Sequence, residues 1–149
     1  SSDLWFARRN ASVSLSVYGN KKINEDITVP RSKLPALLEK IDEISKKYDL
    51  PIPCFGHTGD GNVHTNVMVK DANDKEMLAR GHQAIKEVFQ ATVDLDGTLS
   101  GEHGIGLSKA EFMTMAFNEQ EMNMFKALKL AFDPNNILNP YKMGLISKE

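Results

Sequence analysis

PIPCFGHTGDGNVHTNVMVK, residues 51–70, decides how this chain folds. Two short runs rich in apolar and β-branched residues, 51–55 and 62–69, flank the stretch TGDGN at 58–62. That is the pattern of two strands joined by a tight connection. Gly59 and Gly61 permit positive φ in the turn, and Asp60 is a good turn former. A symmetric hairpin register sets His57 directly across from His64, with their Cβ atoms ~4.5–5.5 Å apart. Cys54 reads as a small buried apolar residue on the first of the two strands.

Outward from the hairpin, both flanks carry helical periodicity. On the N-terminal side, Leu34, Leu37, Leu38, Ile41, Ile44 and Tyr48 recur at three- and four-residue spacing from Ser32 onward. This is an amphipathic helix, with Lys46 and Lys47 placed favourably in its last turn. Before it, INEDITV at 23–29 is β-rich and bounded by Gly19 and Pro30, which predicts a strand. On the C-terminal side, residues 74–95 form a second long helix with Leu78, Ile85, Val88, Phe89 and Val93 facing in, and GTLS at 97–100 is extended. From 23 to 100 the order is therefore βαββαβ, the split, ferredoxin-like arrangement. The predicted fold is α+β, with a mainly antiparallel sheet and both helices on one face.

Flanking helices complete the chain as one domain over 1–149, without an internal repeat or linker. Residues 3–18 read as a helix with Asp3 as N-cap, a stripe of Leu4, Ala7, Ala11 and Leu15, and a stop at Gly19 and Asn20. Residues 106–115 and 118–132 read as helices, and FDPNNILNP at 132–140 breaks the pattern with two prolines. The chain opens without an initiator Met on a segment that is already helical, as a piece of something longer would.

Composition narrows the function classes. A net charge of −2 gives no electrostatic case for nucleic acid or an anionic membrane. No apolar run approaches the ~20 residues of a membrane span, and no signal-peptide pattern opens the chain. The single cysteine excludes an internal disulfide, so a reducing, cytoplasmic setting is the expectation.

Three of the four histidines lie among glycines, in GHTGDGNVH at 56–64 and SGEHGIG at 100–106. His57 and His64, with Glu102 from the second stretch, make a His₂Glu set suited to zinc, manganese or ferrous iron with a coordination position left open. His103 is then left free to act as a general base. On spacing alone two plainer readings stay open: a polar hairpin decorated by histidines, and a Gly-rich turn whose Glu102 sits at a helix N-terminus. Arg8 and Arg9, next to Trp5, are either a carboxylate clamp or solvated cations. His82 reads as a surface residue, and Met113, Met115, Met122 and Met124 as packing residues.

The two glycine-histidine stretches together with FDPNNILNP resemble the C-terminal substrate domain of FAD-linked 2-hydroxy acid oxidoreductases. That group contains the glycolate oxidase flavin subunit, D-lactate dehydrogenases and D-2-hydroxyglutarate dehydrogenase. LWFARR at 4–9 and EDITVPR at 25–31 fit the same pattern, so the resemblance runs from about residue 4 to 144. It implies that His57, His64 and Glu102 bind a divalent metal, zinc or manganese. It further implies that His103 removes the hydroxyl proton of a small 2-hydroxy acid, that Arg8 grips the substrate carboxylate with help from Asn66, and that FAD takes the hydride. Asn24 stands where some relatives carry a lysine for a second carboxylate, which favours glycolate or lactate over a dicarboxylate.

The resemblance also implies a partner. The flavin-binding domain of such enzymes lies N-terminal to this region and is not in the chain, so weak FAD binding and no turnover by the chain alone are expected. Residues 136–142 would pack on that domain, and without it are expected to be disordered or buried between copies in a homo-oligomer. Two readings from other classes stand beside this one: a free-standing His₂Glu metal hydrolase, and a non-catalytic binding or assembly module.

Overall fold

The central strand, β3 (Asn62–Val69), is buried along its whole length. In this computed structural model, which describes residues 2–146, it pairs antiparallel with β1 (Lys21–Thr28) on one edge and β2 (Cys54–His57) on the other. Two long helices, α2 (Leu34–Tyr48) and α3 (Lys75–Asp94), pack against each other and α3 against the sheet. Ile27, Val63 and Val67 from the strands meet Leu37, Ile41, Ala84, Val88 and Phe89 from the helices in one apolar cluster. The architecture is α+β with an antiparallel sheet of order β1-β3-β2, and a bridge between Thr28 and Thr98 lies outside the named strands.

The periodic stripes are largely where the sequence puts them. Leu34, Leu37, Ile41 and Ile44 are buried on α2, while Leu38, at 46% exposure, and half-buried Tyr48 lie off the stripe. On α3, Asp74 caps the N-terminus by accepting from the Met77 amide, and Ala84, Ile85, Val88, Phe89 and Thr92 point inward. Leu78 and Val93 are half-buried at its margins. Phe89 is fully buried with its ring 4.9 Å from that of Phe112. Phe89→Ala is expected to cost about 3–5 kcal/mol of stability through the cavity it leaves, measured by urea unfolding; an unchanged midpoint and slope would contradict this core.

Three expectations need correction. The extended piece at 97–100 is not a full fourth strand: it makes one rung with β1, Thr28 N to Thr98 O at 3.2 Å and Thr98 N to Thr28 O at 2.8 Å. At the next position the Lys109 ammonium, not a strand partner, takes the Asp26 carbonyl at 3.1 Å, and it also takes Leu99 O at 2.8 Å. The predicted helix over 106–115 is reduced to a turn of 3₁₀ helix at Ala110–Phe112 and the short α4 (Met113–Ala116), since Lys109 is drawn into the sheet edge. The hairpin is not symmetric about His57 and His64. Its turn occupies 58–61, so His57 faces Asn62 and His64 faces Phe55. Gly61, at φ +75°, fixes that turn: a Cβ there would come within 2.0 Å of Val29 O.

At the N-terminus, α1 (Ser2–Ser14) runs into a 3₁₀ turn at Leu15–Tyr18. Leu15 is buried and Ala11 half-buried, Ala7 is exposed, and the side chain of Leu4 lies outside the described residues. At the other end, α5 (Glu119–Phe132) opens with a capping box of Asn118 and Glu121 and buries no residue fully. Among the described residues no helix is long and apolar enough to cross a membrane.

Candidate active site

Side chains alternate across a strand, so the sheet sorts its own chemistry. Val63, Val67 and Ile27 lie on the helix-covered side. Asn62, His64 and Asn66 of β3 fall on the other, with the residues paired to them: Asp26, Thr28 and Asn24 on β1, Phe55 and His57 on β2. One cross-strand row reads Phe55–His64–Asp26 and the next His57–Asn62–Thr28. His57 and His64 are thus diagonal neighbours on one face, with ring centroids 5.7 Å apart.

The loop at 100–104 is laid over this face by one buried carboxylate. Asp26 is fully buried, and its Oδ2 accepts from the amides of Gly101, Glu102 and His103 at 2.8, 2.5 and 2.9 Å. The Ser100 hydroxyl donates to both of its oxygens at 3.2 Å, and the buried Lys109 ammonium donates to Oδ1 at 2.5 Å. Burial alone would push the Asp26 carboxyl up, but the Lys109 bond and the loop amides outweigh it and hold it well below the usual carboxylate range. The loop also needs Gly101, because a Cβ there would sit 2.5 Å from Asn62 Nδ2 and from Thr28 Oγ1.

Held in this way, Glu102 places Oε1 3.1 Å from His64 Nε2, and the His103 ring stacks on His64 at 5.4 Å. His103 Nδ1 lies 3.4 Å from Asp26 Oδ1. Donor atoms of His57, His64 and Glu102 all fall within 4.8 Å of one another. One ion bonded at ~2.0–2.2 Å to each needs them roughly 3–3.5 Å apart, and His57 and Glu102, both exposed, are free to close the difference. His64 is nearly buried, and burial with the neighbouring His103 and His57 rings holds its imidazolium below the ordinary value despite Glu102. The neutral imidazole is the form that ligates a metal. The donor set fits a divalent ion.

The remaining sequence candidates fall around this centre. The exposed Arg8 guanidinium lies 5.6 Å over the Phe55 ring, itself 5.3 Å from the His64 ring, so Arg8 stands on the rim of the site. Asn66 is fully buried; its amide donates to the Pro53 and His64 carbonyls and accepts from Asn24 at 2.7 Å. Both of its donors are committed to the protein, so it offers none to a ligand. Arg9 and His82 are exposed. Cys54 is half-buried, and burial pushes its thiol up to about 12, which leaves it an inert apolar side chain.

Two cavities border the donors. One of about 370 Å³ is walled by His57, Glu102, Asp60, Asn62, Thr28 and Gly101. The other, about 650 Å³, lies between His103 and the apolar residues Ile105, Leu128, Phe132, Leu138 and Met143. Its outer wall is the segment after α5. The Asp133 carboxylate accepts from the Ile137 and Leu138 amides at 3.0 and 2.9 Å, and Lys129 donates to Leu138 O at 2.6 Å.

Residues 1–143 match the model of the family described as FAD linked oxidases, C-terminal domain. The chain belongs to that family. This FAD-oxidase C-terminal domain is 44% identical over 137 residues to glycolate oxidase subunit GlcD of Bacillus subtilis (strain 168), covering 92% of the chain and 29% of the relative. It is 38% identical over 144 residues to D-2-hydroxyglutarate dehydrogenase of Stutzerimonas stutzeri (strain A1501), covering 95% and 31%. It is 36% identical over 118 residues to D-lactate dehydrogenase of Archaeoglobus fulgidus, covering 79% and 26%. The domain thus spans less than a third of the length of these relatives.

Sequence reasoning missed Asp26 and Lys109, which organise the FAD-oxidase domain's site. The signal was the pair Glu25-Asp26 inside a β-branched run: in a strand covered on both faces, adjacent acids cannot both reach water.

Proposed function

We propose that this chain is the substrate-side domain of an FAD-dependent 2-hydroxy acid dehydrogenase acting on a glycolate- or D-lactate-like substrate. In this reading His57, His64 and Glu102 hold a divalent metal and His103 is the catalytic base. The observation that carries it is the convergence of three metal donors and a fourth, stacked imidazole on one sheet face, beside an open apolar cavity. The names of the relatives support the substrate class. Asn24 supports a monocarboxylate, because its amide is spent on Asn66 and it brings no cation for a second carboxylate.

A divalent ion bound here, zinc or manganese by donor chemistry, supplies charge that favours ionisation of the substrate hydroxyl, and FAD supplies the hydride acceptor. Arg8 binds the substrate carboxylate from the rim through its two-pronged guanidinium. His103 takes the hydroxyl proton, so loss of that proton and of the α-hydride leaves the 2-oxo acid. Asn66 acts from beneath: its bonds to Asn24 and to the His64 carbonyl hold the strand that presents His64. The apolar wall of Leu128, Phe132 and Leu138, each at least half exposed, receives the flavin-binding domain of the full-length protein. The same surface favours self-association when left uncovered. A lone, half-buried Cys54 suits a reducing, cytoplasmic setting.

His103→Gln in the full-length enzyme tests the reading. Turnover of D-lactate or glycolate, followed by dye reduction, is expected to fall by about 10²–10⁴-fold while flavin absorbance is retained. Undiminished turnover would contradict the assignment of the base. Hydrolytic activity of this chain without flavin would instead support a metal hydrolase.

A further inference from the structure

We propose that Asp26, charged and held by Lys109, is the positioning residue that sets Glu102 and His103 against His64. Asp26 is the cross-strand partner of His64, so its carboxylate is fixed in the row that carries the central imidazole. From there one oxygen gathers three consecutive loop amides, those of Gly101, Glu102 and His103. The other oxygen faces His103 Nδ1 at 3.4 Å and the Lys109 ammonium. A single buried group therefore determines where the loop backbone lies, which way the His103 ring turns, and how far Glu102 Oε1 stands from His64 Nε2. Among the described residues these three amides have no other acceptor.

Lys109 completes the device at the sheet edge. Its ammonium also reaches Glu25 at 3.3 Å and the Leu99 carbonyl, so it ties the strand, the start of the loop and the carboxylate into one unit. An acid that orients the groups around a metal from outside the ligand set changes affinity typically 10–100-fold when removed. Asp26 fits that role although it is not among the three donors.

The inference rests on the metal reading, and Co(II) titration of the chain separates the two. Asp26→Asn, of equal size, is expected to bind Co(II) about 10–100-fold more weakly. Its visible spectrum at saturation should shift towards that of Glu102→Gln, because the carboxylate is no longer delivered. A purely structural role would lower the folded fraction but leave the saturated spectrum unchanged. Wild-type affinity and spectrum in a folded Asp26→Asn would overturn the proposal and leave the metal site standing. No Co(II) binding by the unaltered chain would overturn both. Should Asp26→Asn not fold, the double variant Asp26→Asn, Lys109→Met removes the unpaired buried charge and is titrated in its place. Amide exchange of the unaltered chain gives an arm independent of any variant. Glu102 and His103 amides should exchange far more slowly than those of the exposed turn at Thr58 and Gly59, and equally fast exchange would sink the clamp.

Discussion

His57→Ala and His64→Ala are each expected to weaken zinc or manganese binding by more than the ~10–100-fold that loss of an outer partner costs. Either change leaves two donors, and an ion held by two protein groups gives up most of its hydration for little return. The two substitutions differ in a useful way. His57 is exposed at the end of β2, so its loss should leave folding stability nearly unchanged. His64 is 6% exposed, between the rings of Phe55, His103 and His57, so its loss also opens a space in the face. Titration calorimetry with thermal melts alongside separates the two effects. His82→Ala, on the exposed side of α3, should bind as the unaltered chain does. Retained affinity in His57→Ala would remove that residue from the ligand set.

Asp26→Asn is expected to destabilise the fold by about 3–5 kcal/mol, because it leaves the buried Lys109 ammonium with only part of its counter-charge. Glu25, 3.3 Å from that ammonium, compensates in part. Asp26 has a folded-state pKa below its unfolded value of about 3.9. The unfolded chain therefore binds more protons in that window, and stability rises with pH there. The Asp26 contribution is fully present above about pH 4–5 and fades as pH falls below 4. Glu25 runs the other way, since burial raises its carboxyl against the pull of Lys109, and so its share declines as pH rises above its usual range. Urea unfolding at neutral pH and near pH 3 should show the gap between the unaltered chain and Asp26→Asn narrowing in acid. A gap that stays constant would mean that the carboxylate charge is not what holds the loop.

Helices α2 and α3 were legible because their apolar spacing reports a burial that they do undergo. The hairpin was legible from its glycines and the β-rich runs on either side. Its register was not, because turn length depends on Gly61 closing against the Val29 carbonyl, a contact 32 residues away in sequence that periodicity does not encode. The fourth strand was over-read for a related reason: GTLS has strand composition, but Lys109 occupies the Asp26 carbonyl that the next rung would use. The candidate site was legible as residue types at two glycine-rich places. What joined them was not, since Asp26 looks like one more acid until the strand order sets it beside His64. Asn66 shows the opposite limit, where a motif position implied a substrate contact and the structure spends its amide on backbone carbonyls.

The central claim is that two imidazoles and one carboxylate from distant parts of this chain hold one divalent ion. X-ray absorption at the zinc edge of the zinc-loaded chain tests it most directly. The expected first shell has two imidazole nitrogens at ~2.0–2.1 Å and a carboxylate oxygen at ~2.0–2.2 Å, with the remaining position taken by water. A shell of oxygens alone, or a sulfur at ~2.3 Å from Cys54, would contradict it.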